Sequence, residues 1–223
     1  MQIEKLCRDL DSKVPRLKYH SAKALLVLSA EKPDLLYPRF DVFVQLLDGD
    51  NRILRWNATR ILGNLAAVDR LGLLDPVLDR LFAQITGNEM IGAANAIAAA
   101  AAIAVAKPHL AGRVADEILK VGAANYATPE CRNVAIGHAI QAFDRFFPAL
   151  EETARLLEFV NGQLDNPRPA TRKKAARFLK KWAAAEEPLS PGERLPEAPA
   201  CPHPDGGHRA LRRTVPSHAA IAR

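Results

Sequence analysis

Residues 46–65, LLDGDNRILRWNATRILGNL, set Leu47-Asp48, Arg55, Ala58 and Ile61-Leu62 at spacings that recur unchanged near the other end of the chain, as Leu164-Asp165, Arg172, Ala175 and Phe178-Leu179. Self-similarity of this kind marks stacked supersecondary units, each unable to bury its apolar face alone. Followed outward, the Arg55 position falls at Lys18, Arg55, Ala93, Arg132 and Arg172, in steps of 37, 38, 39 and 40 residues. Those steps have the length of a two-helix unit, so five units are predicted. The third departs most, with Thr86 and Ala93 in place of the acidic and basic landmarks, yet Ala96, Ala99 and Ile103 keep the apolar spacing. In the fourth, Asn125 and Arg132 take the places of Asp48 and Arg55.

Ahead of each landmark lies an amphipathic first helix. Leu74, Val77, Leu78, Leu81, Phe82 and Ile85 make one stripe at i, i+3, i+4 spacing. Asp75-Pro76 opens it, and Pro108 and Pro148 are placed to open later first helices, since proline at a helix start forfeits no hydrogen bond. In the second helix, about 100° per residue gathers Ala58, Ile61, Leu62 and Leu65 on one arc and turns Trp56, Asn57, Arg60 and Asn64 the other way.

These residues resemble the HEAT repeat family: Leu46-Leu47-Asp48, Arg55, Ala58 and Ile61-Leu62-Gly63-Asn64-Leu65 look like its second-helix signature, and Leu164-Asp165 through Leu179 is similar. The resemblance implies an all-α fold, an α-α superhelix (a right-handed solenoid) of about five HEAT-like helix pairs over residues 1–185, with second helices lining the concave side. It says little about function, because such arrays host scaffolds, transport receptors and a few enzymes.

Composition sets outer limits. The chain has 223 residues, 48% of them hydrophobic, and a formal net charge of +6. That is enough apolar residue for a continuous core, and no run is apolar enough to expect a membrane span; Ala93–Ala106 is alanine-rich and sits in register as a repeat helix. The charged start Met1 to Arg8 does not read as a secretory signal, and Cys7, Cys131 and Cys201 are few, odd in number and far apart, which predicts a reduced, cytoplasmic setting. From residue 186 to 223 the composition shifts to seven of the sixteen prolines with Gly192, Gly206 and Gly207, a tail expected to be disordered. Its P-x-x-P spacings at Pro188/Pro191, Pro196/Pro199 and Pro199/Pro202 either engage a polyproline reader or are unconstrained, and Cys201, His203 and His208 lack a fourth ligand at a zinc-binding spacing.

Charge divides with the register. The windows 15–29, 51–67, 90–107, 131–143 and 166–185, which follow the second helices, contain no Asp or Glu. Equivalent outward positions read as ladders: Tyr19, Trp56, Ala94, Asn133, Lys173; His20, Asn57, Asn95, Val134, Lys174; and Lys23, Arg60, Ala98, Gly137, Arg177. Two more run Leu26, Gly63, Ala101, Ile140, Lys180 and Val27, Asn64, Ala102, Gln141, Lys181. The predicted face has an aromatic and amide end, a small-residue middle that either admits a partner or packs between helices, and a basic end. Lys173, Lys174, Arg177, Lys180 and Lys181 lie opposite Ala175, Phe178, Leu179 and Trp182; they serve either as the polar cap of a terminal repeat or as a site for an anion. Arg55 and Arg172 are expected to pair with the Asp of their own or a neighbouring unit. Trp56 reads either as a partner anchor or as a cover for the next repeat. Armadillo transport receptors look similar in using inner-face Trp and Asn on a basic peptide, but here the residue four after Trp56 is Arg60, and the face is basic.

No H-E-x-x-H, P-loop, G-x-S-x-G or paired-Cys pattern is present, and His138 stands at an Ile61-like packing position. The expectation is a non-catalytic adaptor, without metal, cofactor or small-molecule substrate, that binds an acidic protein segment. Its binding residues are Tyr19, Trp56, Asn57, Arg60, Asn64, Asn95, Lys173, Lys174, Arg177, Lys180 and Lys181. The alternative is a nucleic-acid binder, including a HEAT-like alkylpurine DNA glycosylase. The chain resembles that family in length, repeats and basicity, but the inner-face carboxylate its chemistry needs has only Asp144 nearby.

Overall fold

The computed structural model describes residues 2–182, which form eleven α-helices linked by turns and short 3-10 segments, with no strand among them. In chain order these are α1 (Gln2–Asp9), α2 (Pro15–Glu31), α3 (Pro33–Leu36), α4 (Phe40–Leu47), α5 (Arg52–Leu65), α6 (Leu78–Ala83), α7 (Met90–Ala106), α8 (Ala111–Leu119), α9 (Pro129–Phe146), α10 (Ala154–Asn161) and α11 (Pro169–Trp182). Five pairs result, α1/α2, α4/α5, α6/α7, α8/α9 and α10/α11, and the second helices α2, α5, α7, α9 and α11 pack side by side in that order. This is the predicted stack of five helix pairs. The boundary at 185/186, the proline-spaced segment and Cys201, His203 and His208 lie outside the described residues.

The register marks have a simple physical identity. Lys18, Arg55, Ala93, Arg132 and Arg172 each donate a backbone N–H four residues back, to Val14, Asn51, Glu89, Thr128 and Arg168, closing the first α-helical turn of each second helix. Local chemistry starts these helices: the Asn51 side chain accepts from the Leu54 amide at 3.2 Å and Thr128 from the Cys131 amide at 3.1 Å, while Pro15, Pro129 and Pro169 occupy first positions. The prolines expected to open first helices do so less directly. Pro76 and Pro108 sit in 3-10 turns that run straight into α6 and α8, whereas Pro148 lies in a 3-10 turn that ends before α10 begins at Ala154.

The core runs through the stack from Leu25 and Phe43 through Leu62, Ile85, Ile103 and Phe143 to Val160 and Ala175, all fully buried. Its tightest point is the contact of α5 with α7. A Cβ built on Gly63 would fall 2.6 Å from the Ala99 Cα, so only glycine lets the two backbones come this close. The ladder Leu26, Gly63, Ala101, Ile140, Lys180 therefore does not face outward as expected: Gly63, Ala101 and Ile140 are buried, and only Lys180 on α11 is exposed. Each interior second helix has neighbours on both sides, which narrows its free strip. No helix among the described residues is long and apolar enough to cross a membrane.

Ion pairs link the first-helix layer. Arg39 holds Glu4 at 3.2 Å, Arg80 holds Asp48 at 2.6 Å, Arg113 holds Asp79 at 2.6 Å and Arg155 holds Asp116 at 2.9 Å, each arginine reaching to the preceding unit. Asp48 thus has an inter-repeat partner, but it is not Arg55. Arg55 donates to the Gly49 carbonyl at 3.3 Å and lies 3.6 Å from Glu89 of the next unit, and Arg172 donates to the carbonyls of Asn166 at 2.7 Å and Pro167 at 3.1 Å. An arginine on the first turn of a second helix overlies the preceding turn, whose carbonyls need donors from outside regular structure.

One buried charge ties three units together. The Asp69 side chain is 0% exposed; its carboxylate meets the Lys107 ammonium at 2.9 Å and accepts from the Tyr37 hydroxyl at 2.7 Å and from the amides of Leu73 and Leu74. Burial alone would raise its pKa, but these four donors outweigh burial and hold it below the usual carboxylate range.

Two tests follow from this packing. Gly63→Ala is expected to lower the urea-denaturation stability by about 1–2 kcal/mol despite the better helix propensity of alanine, while Gly112→Ala in α8, where a new Cβ meets nothing within 4 Å, raises it by about 0.5 kcal/mol. Asp69→Asn strands Lys107 and costs about 3 kcal/mol. Because the folded pKa of Asp69 is depressed, its contribution is full above the unfolded value near pH 4 and is lost as pH falls through the folded value; the variant's stability profile should lack that acid limb.

Candidate partner-binding surface

The five second helices carry fourteen Lys and Arg against three carboxylates, whereas their five partners α1, α4, α6, α8 and α10 carry five against seven. The acid-free windows need one correction, because α2 and α9 run further than those windows and take in Glu31, Glu130 and Asp144. Two of these are engaged by cations, Glu130 by Arg168 and Asp144 by Lys181 at 2.8 Å.

At the amide end, Tyr19 is exposed and its hydroxyl accepts from Asn51 at 3.3 Å. Asn57 donates to the Ile53 carbonyl at 2.7 Å and Asn95 to the Ile91 carbonyl at 2.8 Å, the same arrangement one repeat apart, beside the exposed side chains of Ile53 and Ile91. Asn64 is committed to the stack, donating to Ser29 on α2 at 2.9 Å. Trp56 is half-buried and covers the next repeat: its indole nitrogen is buried against Gly92, where a Cβ would sit 3.5 Å away, and it finds no acceptor.

Across the middle, α7 bears no Lys or Arg, and its Ala94, Ala98 and Ala102 form a small-residue floor. Two arginines flank it. Arg145, from the last turn of α9, reaches back to the Ala98 carbonyl at 3.4 Å, and Arg60 projects from the equivalent position on α5. Burial and then the charge of Arg145 hold the Arg60 guanidinium below its ordinary pKa. Arg145 lies beyond the acid-free window 131–143, past the expected end of the fourth second helix; only the length of α9 puts it on this face.

The basic end divides into pinned and free cations. Lys174 donates to the Gly137 carbonyl at 3.1 Å and Gln141 at 2.9 Å, and its ammonium is held below its usual pKa by burial and by Arg168. Lys181 pairs with Asp144 and lies 4.4 Å from the centre of the Trp182 ring. Asp144 also accepts from the Trp182 indole at 2.7 Å; burial pushes its carboxyl up, but Lys181 and Trp182 outweigh that and keep it ionised below its ordinary value. Lys173, Arg177 and Lys180 are exposed. His138 is half-buried, and burial, Lys174 and Arg168 lower its pKa. No cluster of three metal-ligating side chains exists among the described residues.

No family model matches the sequence, and no curated protein does. Solved structures do match. An engineered protein is similar at 18% identity and a TM-score of 0.54 over 80% of this chain and 78% of its own. A designed armadillo repeat protein matches at 18% identity and TM-score 0.54, covering 82% of each chain. Another, solved in complex with the peptide (KR)4, matches at 16% identity and TM-score 0.54 over 80% of this chain and 84% of that one. At these identities the likeness is one of fold: the chain is an α-α superhelix of the armadillo/HEAT type.

If Arg60 is held against a like charge, Arg60→Gln should raise stability in low salt by up to about 1 kcal/mol, with the gain shrinking at high ionic strength. Denaturation curves at two salt concentrations check this, and an unchanged or lowered midpoint in low salt would count against it.

Proposed function

We propose that this chain is a non-catalytic helical-repeat scaffold that binds an acidic protein segment along its second-helix face. The observation that carries the reading is that the second helices hold fourteen Lys and Arg against three carboxylates, with Lys173, Arg177 and Lys180 of α11 exposed. Burial first, and then neighbouring positive charge, lowers the pKa of Arg60 (Arg145) and of Lys174 (Arg168). In the first-helix layer, by contrast, arginine after arginine meets an acid of the preceding unit. An anion laid along the second-helix face would offset this excess of positive charge.

The armadillo design solved with (KR)4 supports the use of such a stack to hold an extended peptide. The charge is reversed here, so the segment that fits is rich in Asp and Glu. Protein is favoured over nucleic acid because the exposed Lys173, Arg177 and Lys180 cluster on α11 while α7 adds no cation of its own, whereas a phosphate backbone presents charge at every step. The few, scattered cysteines support a reducing, cytoplasmic setting.

The test uses a fluorescein-labelled Asp/Glu peptide read by anisotropy. Lys173→Glu with Arg177→Glu, which touches neither pinned lysine, should weaken binding by about tenfold or more. Unchanged affinity would remove the proposal, and so would tighter binding of duplex DNA or RNA with a steep salt dependence.

A further inference from the structure

Between α9 and α11 the second-helix face opens into a recess of about 280 Å³. Ala170, at the exposed start of α11, is the small residue that lines it. Ile140 and Phe178 lie beneath it, almost wholly buried, so its apolar floor is completed by Ala170 and the methylene stems of the lysine and arginine side chains; Asp144 also lines it, its carboxylate taken up by Lys181 and Trp182. Lys174 and Lys181 also line it, but their ammonium groups are fastened to the α9 acceptors Gly137, Gln141 and Asp144, so they stand as walls. Lys173 and Arg177 complete the rim, and both are exposed.

We infer that this recess receives one bulky apolar side chain of the bound acidic segment, so that the element recognised is an apolar residue flanked by carboxylates. The inference rests on the acidic-segment reading and adds to it a position and a sequence requirement. The opening falls below the roughly 300–1,000 Å³ of small-molecule sites and suits a single leucine- or phenylalanine-sized group. An apolar floor gains nothing from a carboxylate, which stays solvated at the rim, where Lys173 and Arg177 meet it. A wholly acidic segment leaves the floor wet, and a wholly apolar one leaves two cations unmatched. Charge complementarity therefore selects the neighbours of the anchor, and the floor selects the anchor.

Two fluorescein-labelled heptapeptides test this against the full-length protein: Asp-Glu-Asp-Leu-Asp-Glu-Asp and the same sequence with Ser in place of Leu. The Leu peptide is expected to bind roughly tenfold more tightly. Ala170→Phe, which fills the recess from the exposed start of α11, should abolish that preference, so that the two peptides bind alike. Equal binding of both peptides to the unmodified protein, or a preference that survives Ala170→Phe, overturns the recess inference. If in that case Lys173→Glu with Arg177→Glu still weakens both peptides, the scaffold reading stands without the anchor; if neither peptide binds at all, both fall.

Discussion

Everything on the second-helix face depends on how near α5 can come to α7. Gly63 against Ala99 sets that approach, and between two close neighbours α7 buries mostly small side chains, Ala93, Ala100, Ala101 and Ala104 completely, along with Ile97 and Ile103. A helix so enclosed carries no charge of its own. The cations that flank its surface come from elsewhere, Arg60 from α5 and Arg145 from α9, the latter held to the Ala98 carbonyl. A packing constraint thus produces an electrostatic one.

The two layers of the stack treat charge in opposite ways. First helices spend it on one another, arginine to the preceding unit's acid, and at Asp69 a buried carboxylate is matched by an ammonium, a hydroxyl and two amides. Second helices leave part of theirs unmatched. Lys174 and Lys181 are used to join α11 to α9, but Lys173, Arg177 and Lys180 extend from the same helix into solvent. Exposed charge also suits the last helix of a stack, whose outer face must be polar.

Much of the architecture was legible in the sequence because a repeat must present the same apolar spacing at each step. The register residues proved to be the first hydrogen-bonded turn of every second helix, even at Ala93, where both landmark charges are missing. Outwardness was harder to read. A helical wheel gives the direction of Gly63 or Ile140 but not the neighbour waiting there, and in a stack the neighbour decides. The bonds of Asn64 to Ser29 and of Arg55 to Gly49 were hidden for the same reason, since each depends on a backbone position that only the packed stack defines. Asp69 gave no signal at all: it is one aspartate in a loop, and its partners Tyr37 and Lys107 lie in the units before and after.

The exposed ladder Glu4–Arg39, Asp48–Arg80, Asp79–Arg113 and Asp116–Arg155 has a mechanical meaning. Solvated pairs of this kind contribute at most about 1 kcal/mol each and weaken as salt is added, whereas prising α5 from α7 breaks a close-packed backbone contact. Bending stiffness is therefore unequal across the stack. At α5/α7 the second-helix edge resists separation more than the exposed ion pairs of the first-helix edge do, so added salt should loosen the stack on the first-helix side first.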